Sequence, residues 1–332
     1  MQIKNILDKL DSTNLDGIVV LKSENIAYLT GFKPSSFSVL ILKDEPILFI
    51  SKMDYEDVPE NLNISVENFT SFDDLNRVLI KNKPAILGVE NSIPLSVYKK
   101  IKNNFKIKLT EIIEESRRIK SKKELKYIKE AIKIAENAFR NTRLEGTDNL
   151  VAAELNYNLL MEGSLKPAFE TIVASGTASS KPHAFLQQKP LENPVLLDWG
   201  AVYKNYCSDI SRTKVTTKKQ HEILSIVIEA QKEAIKEIKP GIKASYVDKA
   251  AREVIEDYGY GENFIHSTGH GLGLEVHEGP SLSKSEKLKL EKGMVVTVEP
   301  GIYLPGEFGI RVEDDILVKN RAKILTKLDQ II

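Results

Sequence analysis

The stretch Val195-Leu196-Leu197-Asp198-Trp199-Gly200-Ala201-Val202-Tyr203-Lys204-Asn205-Tyr206-Cys207-Ser208-Asp209 decides how this chain reads. A β-rich apolar run ends in Asp198, and a second acid, Asp209, follows eleven residues on. Gly200 and Lys204-Asn205 between them favour turns. A turn near Tyr203-Lys204 would set the two Asp opposite each other on a hairpin, about 5 Å apart. The pattern recurs near the C-terminus. Glu299 ends the run Met294-Val295-Val296-Thr297-Val298, Glu313 lies in Ile310-Arg311-Val312-Glu313, and Pro305-Gly306 falls midway between them. A hairpin turning there would pair the two Glu. Two such hairpins would enclose a dinuclear metal centre, with His270, in a glycine-rich segment, as the only nitrogen ligand. Four carboxylates and one imidazole are a ligand set for hard-to-borderline divalent cations.

A lone Asp at a strand end is more often a turn residue than a ligand. Two mirrored pairs on separate apolar strands are much harder to obtain by chance. Like charges that face each other on a buried surface are destabilising unless a cation lies between them.

The words around these residues resemble a known family. Leu197-Asp198-Trp199-Gly200, Ser208-Asp209-Ile210-Ser211-Arg212-Thr213, Thr268-Gly269-His270-Gly271-Leu272-Gly273, Val298-Glu299-Pro300-Gly301-Ile302-Tyr303 and Arg311-Val312-Glu313-Asp314 read, in order, like the metal-binding motifs of the Xaa-Pro peptidases. The likeness runs from about Ser121 to the C-terminus. A weaker one covers the N-terminal part, chiefly Ser23-Glu24-Asn25-Ile26-Ala27-Tyr28-Leu29-Thr30-Gly31-Phe32.

The resemblance implies a pita-bread fold and hydrolysis of the bond before proline, as an Xaa-Pro dipeptidase (prolidase) or, alternatively, an aminopeptidase P acting on longer peptides. It implies that Asp198, Asp209, His270, Glu299 and Glu313 hold two divalent cations per subunit, Mn2+ or Co2+ ahead of Zn2+. His183 and His277 would contact the scissile carbonyl, Glu299 would also carry a proton, Arg311 would orient carboxylates, and His266 would line the pocket. Small proline-containing peptides are the expected partners, with a homodimer as the expected assembly. Two departures from the family pattern stand out. Ser281 replaces an Arg that receives the dipeptide carboxylate in many prolidases, and Ala178 replaces a usual Asn. A metal-free hydrolase of the creatinase kind, or a binding protein that has lost its metals, would be expected to lack part of this ligand set.

Composition sets broader bounds. The 332 residues leave room for two domains. Lys and Arg total 47, as do Asp and Glu, so no net charge draws the chain to nucleic acid. No apolar run approaches a membrane span. The start, Met1 to Leu10, reads as a charged amphipathic helix rather than a signal peptide. A single cysteine, Cys207, excludes an intrachain disulfide and suits the cytoplasm.

The fold class expected is α/β (α+β). Residues 1–115 form a small N-terminal α/β domain, with strands at 17–21, 38–42 and 46–50 and helices at 75–80 and 95–101. The segment 111–120 reads as a polar connector, and residues 121–332 form the catalytic domain. There a helix opens on the capping box Ser121/Glu124, a second spans 149–162, a third 218–238 and a fourth 246–258. Each helix pair precedes strands bearing one carboxylate hairpin. We read this as an internal α-α-β pseudo-duplication, with the site between the halves.

Overall fold

The computed structural model describes residues 2–62, 64–71, 76, 77, 79 and 84–332. The chain divides into two compact units, Met1–Arg117 and Arg118–Ile332.

The N-terminal unit is built on a six-stranded mixed sheet. Its strands are β1 (Gly17–Val20), β2 (Val39–Leu42), β3 (Ile47–Ile50), β4 (Ser65–Asn68), β5 (Ile86–Glu90) and β6 (Lys106–Thr110), in the order β4-β3-β2-β1-β5-β6. Period-two alternation sorts the side chains of the central strands. Ile18, Val20, Leu40, Leu42, Leu48 and Ile50 pack on one face with Ile6, Leu10, Ile26 and Leu29 from the helices Gln2–Leu10 and Ser23–Thr30. Val19, Val39, Ile41, Phe49, Leu87 and Val89 pack on the other with Val97 and Ile101 of the helix Leu95–Lys102. Both faces are covered, which is why these strands read as continuous apolar runs. The helix expected at 75–80 lies largely outside the described residues. The expected polar connector is instead a helix, Ile112–Arg118, because Ile112, Ile113 and Arg117 turn inward. Arg117 donates to Asn25 Oδ1 at 2.7 Å, and Asn25 in turn donates to Glu90 and Glu114.

The second unit opens on the helix Lys122–Arg140. Ser121 Oγ accepts from Glu124 N while the Glu124 carboxylate accepts from Ser121 N. The helix Asp148–Met161 follows, then β7 (Ile172–Ser175), β8 (Val195–Trp199), β9 (Val202–Tyr203), β10 (Tyr206–Cys207) and β11 (Ile210–Lys214). Trp199 stacks on Phe139 at 4.9 Å and donates to Ala135 O, locking this strand layer to its helix. The second half repeats the order. Thr217 and Gln220 form another capping box at the start of the helix Lys218–Glu237, and the helix Ala244–Asp257 follows.

The strands of the second half are β12 (Gly269–Gly271), β13 (Glu278–Leu282), β14 (Val295–Val298), β15 (Gly301–Leu304), β16 (Phe308–Arg311), β17 (Asp314–Val318) and β18 (Ala322–Ile324). Five of them form a sheet ordered β13-β12-β14-β17-β18. β15 and β16 pair separately, and the core of this half joins Val296, Val298, Ile302, Ile310 and Ile316 to Val227, Ala230, Val247 and Ala251 of the two helices. The halves meet where Glu313 N donates to Ser211 O and where the Thr213 hydroxyl bonds both main-chain groups of Arg311. No helix among the described residues is long and apolar enough to cross a membrane.

Candidate metal centre

The two carboxylate hairpins differ in register. In the second, Val298 pairs with Asp314, Gly301 with Arg311 and Leu304 with Phe308. Glu299 and Glu313 are the opposed positions in that single register, and the chain reverses at Gly306, whose φ is 75°. This is the expected pairing. The first hairpin departs from expectation. Lys204 (φ 49°) and Asn205 (φ 69°) are the central residues of its turn, both left-handed, as a two-residue type I′ connection requires. The turn therefore lies one residue later than Tyr203-Lys204, and the pairing moves by two. Asp198 stands opposite Ser211, not Asp209. A shift of two preserves the face, so both Asp still point into the site, as diagonal neighbours.

The side chains converge. Asp209, His270 and Glu313 each present a ligand atom within 4.8 Å of the others. His270 Nε2 lies 3.2 Å from Glu299 Oε1 and 3.6 Å from Asp209 Oδ2. Its other nitrogen, Nδ1, faces Gly271 O at 3.1 Å. Asp198 enters the cluster through Arg311, whose Nη2 donates to Asp198 Oδ2 at 2.6 Å. Gly269 lets the His270 strand press against its neighbour, because a Cβ there would lie 2.1 Å from Thr297 O.

The electrostatics of the cluster ask for cations. Asp198 Oδ1, Asp209 Oδ1 and Glu313 Oε1 are buried and accept no hydrogen bond from the described residues. Desolvation, reinforced by neighbouring carboxylates, pushes Asp209 and Glu313 well above the usual carboxylate range. Desolvation also raises Asp198, against the pull of Arg311. Glu299 pays the same desolvation, yet the hydrogen bond and charge of His270 hold it at about 2. Oxygen-rich donors with unused lone pairs fit divalent cations that prefer oxygen with some nitrogen.

Arg311 is buried and fully engaged. Its Nε donates to Ser211 Oγ, which donates to Glu313 Oε2 at 2.7 Å, and Nη1 donates to Tyr303 OH at 2.7 Å. One guanidinium thus braces two acids of the cluster. Tyr303 OH also meets His266 Nε2 at 2.9 Å, while His266 Nδ1 meets Ser267 O at 2.8 Å. With Arg311 donating to the phenol, the phenol donates to Nε2 and Nδ1–H donates to Ser267. Both nitrogens of His266 are spent inside the protein, which leaves it a wall of the site.

A cavity of about 510 Å³ opens onto the cluster. All of Asp198, Asp209, His270, Glu299, Glu313, His183, His266, His277 and Arg311 line it. His221 lies apart, exposed at the start of the helix Lys218–Glu237. His277 packs edge-on to His270, with ring centroids 4.2 Å apart. Phe169, Ile172, Phe185 and Leu186 supply an apolar wall, and Ser281 faces the same space.

Several supporting residues were not singled out in the sequence, although Asp248 and Arg252 have the i,i+4 spacing of a helical ion pair. Asp248 accepts from both Thr268 N and Thr268 Oγ1, and Arg252 ties Asp248 to the carbonyls of Phe264 and His266. This pair, from the helix Ala244–Asp257, fixes the segment that carries His270. Asp315 accepts from Asp209 N, and Asp148 holds Gln187 N and Lys189 N beyond His183.

Residues 126–320 match metallopeptidase family M24, and residues 2–119 match the creatinase/prolidase N-terminal domain. The chain belongs to family M24. A Xaa-Pro dipeptidase of Pyrococcus horikoshii is 41% identical over 99% of this chain and 97% of that protein. The crystal structure of the prolidase from Pyrococcus horikoshii superposes with a TM-score of 0.93, at 39% identity, over 99% of each chain. An X-Pro aminopeptidase from Thermotoga maritima superposes with a TM-score of 0.92, at 34% identity, over 99% of this chain and 98% of that one. The chain is a hydrolase of the Xaa-Pro peptidase family. It has the pita-bread catalytic fold, preceded in sequence by a creatinase/prolidase N-terminal domain, and the family membership implies divalent metal ions.

Proposed function

We propose that this protein is an Xaa-Pro dipeptidase in which Asp198, Asp209, His270, Glu299 and Glu313 hold two divalent cations, Mn2+ or Co2+. The observation that carries the reading is the set of buried carboxylate oxygens with no donor, gathered around His270 in a cavity. Bound there, the cations would supply Lewis acidity and a water acidic enough to attack at neutral pH.

The chain's own residues do the rest. Arg311 holds Asp198 directly and Glu313 through Ser211, so that both carboxylates keep their orientation. Glu299 receives a proton from the attacking water and delivers it to the leaving prolyl nitrogen. His277 and His183 reach the scissile carbonyl from the cavity wall and stabilise the charge that develops on its oxygen. Proline's nitrogen carries no hydrogen to bond, so recognition of the ring falls to apolar surface, which Phe169, Ile172, Phe185 and Leu186 provide. The single buried thiol, Cys207, suits a cytoplasmic setting. The resemblance to Xaa-Pro peptidases supports a homodimer.

One observation favours activity on longer peptides as well. Among the described residues lining the cavity, Arg311 is the sole guanidinium or ammonium, and Asp198, Ser211 and Tyr303 engage it. Ser281 offers a dipeptide carboxylate no charge. The test is hydrolysis of matched Xaa-Pro, Xaa-Pro-Yaa and Xaa-Ala peptides after loading with Mn2+ or Co2+. Turnover of the proline peptides, absent with Xaa-Ala, is expected. Equal turnover of Xaa-Ala would overturn the proline reading.

A further inference from the structure

We propose that the buried ion pair Lys120–Glu278 is the device that positions His277. Lys120 Nζ lies 2.5 Å from Glu278 Oε1, and the two side chains are 1% and 8% exposed. Glu278 directly follows His277 and opens β13. The β12–β13 ladder is irregular here. His270 pairs with Ser281, but Gly271 pairs with Glu278, so β13 bulges by two residues at Gly279-Pro280. Beyond the bulge one ladder pair remains, and no hydrogen bond from the described residues fixes the His277 ring, which is exposed to the cavity. The ring's place against His270 therefore depends on what anchors its neighbour.

Lys120 is well suited as that anchor. Its own N–H donates to Gly293 O, its ammonium also donates to Arg118 O at 3.2 Å, and the next residue is the capped start of the helix Lys122–Arg140. Gly273 completes the socket. A Cβ at that position would lie 2.5 Å from Glu278 Oε1, so the last glycine of the His270 segment makes room for the carboxylate. Neither Lys120 nor Glu278 is among the residues that line the cavity. They are positioning residues, acting through His277.

The inference rests on His277 being a substrate contact, and the test separates the two ideas. Lys120→Met should lower kcat roughly ten- to a hundred-fold, the cost of a displaced catalytic group, with KM and metal stoichiometry unchanged. Lys120→Arg, which keeps the charge, should restore most of the rate. In a His277→Ala background Lys120→Met should cost nothing further, because both changes act through one ring. A crystal structure of Lys120→Met should show the His277 ring gone from its contact with His270. Glu278→Gln serves as the second variant, with the same expectations, if Lys120→Met does not fold. Losses that multiply in the double variant, or an undisplaced ring, would overturn the positioning role. A His277→Ala enzyme with normal kcat would overturn the reading of His277 alone, and the ring's position would still decide the structural claim.

Discussion

Arg311 reaches Asp198 with one nitrogen at 2.6 Å and, through Ser211, reaches Glu313 with another. A single side chain thus sets two acids that come from different halves of the catalytic unit. Lysine has neither the fork nor the reach to do both. Arg311→Lys should weaken metal affinity about 10- to 100-fold, measured by titration of the metal-free protein. Unchanged affinity would mean that the carboxylates hold their places without it.

The histidines should separate by what they lose. His270→Ala removes the nitrogen nearest Glu299 and Asp209 and should lose bound metal, read by elemental analysis. His183→Ala and His277→Ala should keep their metal and lose kcat, because both are assigned to the transition state. Metal loss in either would place it among the ligands.

Tyr303 sits between Arg311 and His266, and burial pushes its phenol up to about 12, against the opposing influence of Arg311. It stays neutral and hydrogen-bonded at working pH. Tyr303→Phe leaves Arg311 Nη1 and His266 Nε2 each one partner short. The expected cost is about 1–3 kcal/mol of stability, measured by denaturant unfolding, with a looser His266 ring. A variant as stable as the parent would show that solvent replaces the phenol freely.

Chelation should destabilise the protein more as pH rises. Without cations, burial and mutual repulsion raise Asp209 and Glu313 above their ordinary values of 3.8 and 4.5. A carboxylate raised in the folded state favours folding while protonated, and that contribution fades as pH climbs from the ordinary value through the raised one. Metal binding has the opposite sign, because ligands must be deprotonated. The gap in melting temperature between metal-loaded and chelated protein should therefore widen with pH across that window. A gap independent of pH would argue against cations bound by these acids.

Ser281→Arg should shift preference from Xaa-Pro-Yaa toward Xaa-Pro, since an Arg–carboxylate contact is charge-assisted. The ratio of kcat/KM for matched peptides reads it out. Parent activity confined to dipeptides would show that another cation receives the carboxylate.

What could be read in the sequence was local or periodic. The capping box of Ser121 and Glu124 is a four-residue pattern, and the Glu299–Glu313 pairing followed from a turn at its midpoint. The Asp hairpin slipped because Tyr203-Lys204 and Lys204-Asn205 are both polar enough to turn, and the left-handed preference of Asn205 decided between them. The helix Ile112–Arg118 was hidden by its charged residues, since only Ile112, Ile113 and Arg117 bury. The brace Asp248–Arg252 is an i,i+4 pair on one helix, Tyr303–Arg311 spans a hairpin, and Lys120–Glu278 joins distant segments through the fold. Of these, Lys120–Glu278 spans far too much sequence for any spacing rule to expose it.

The turn at Lys204-Asn205 carries a further consequence, for loop length. Because side chains alternate along a strand, adding or deleting one residue between Val202 and Cys207 would send Asp209 to the opposite face of its hairpin. Adding two would return it to the same face, one ladder step away. The proposed metal site is thus protected by a parity rule. This loop should tolerate even changes in length far better than odd ones, although no atom of the turn belongs to the site.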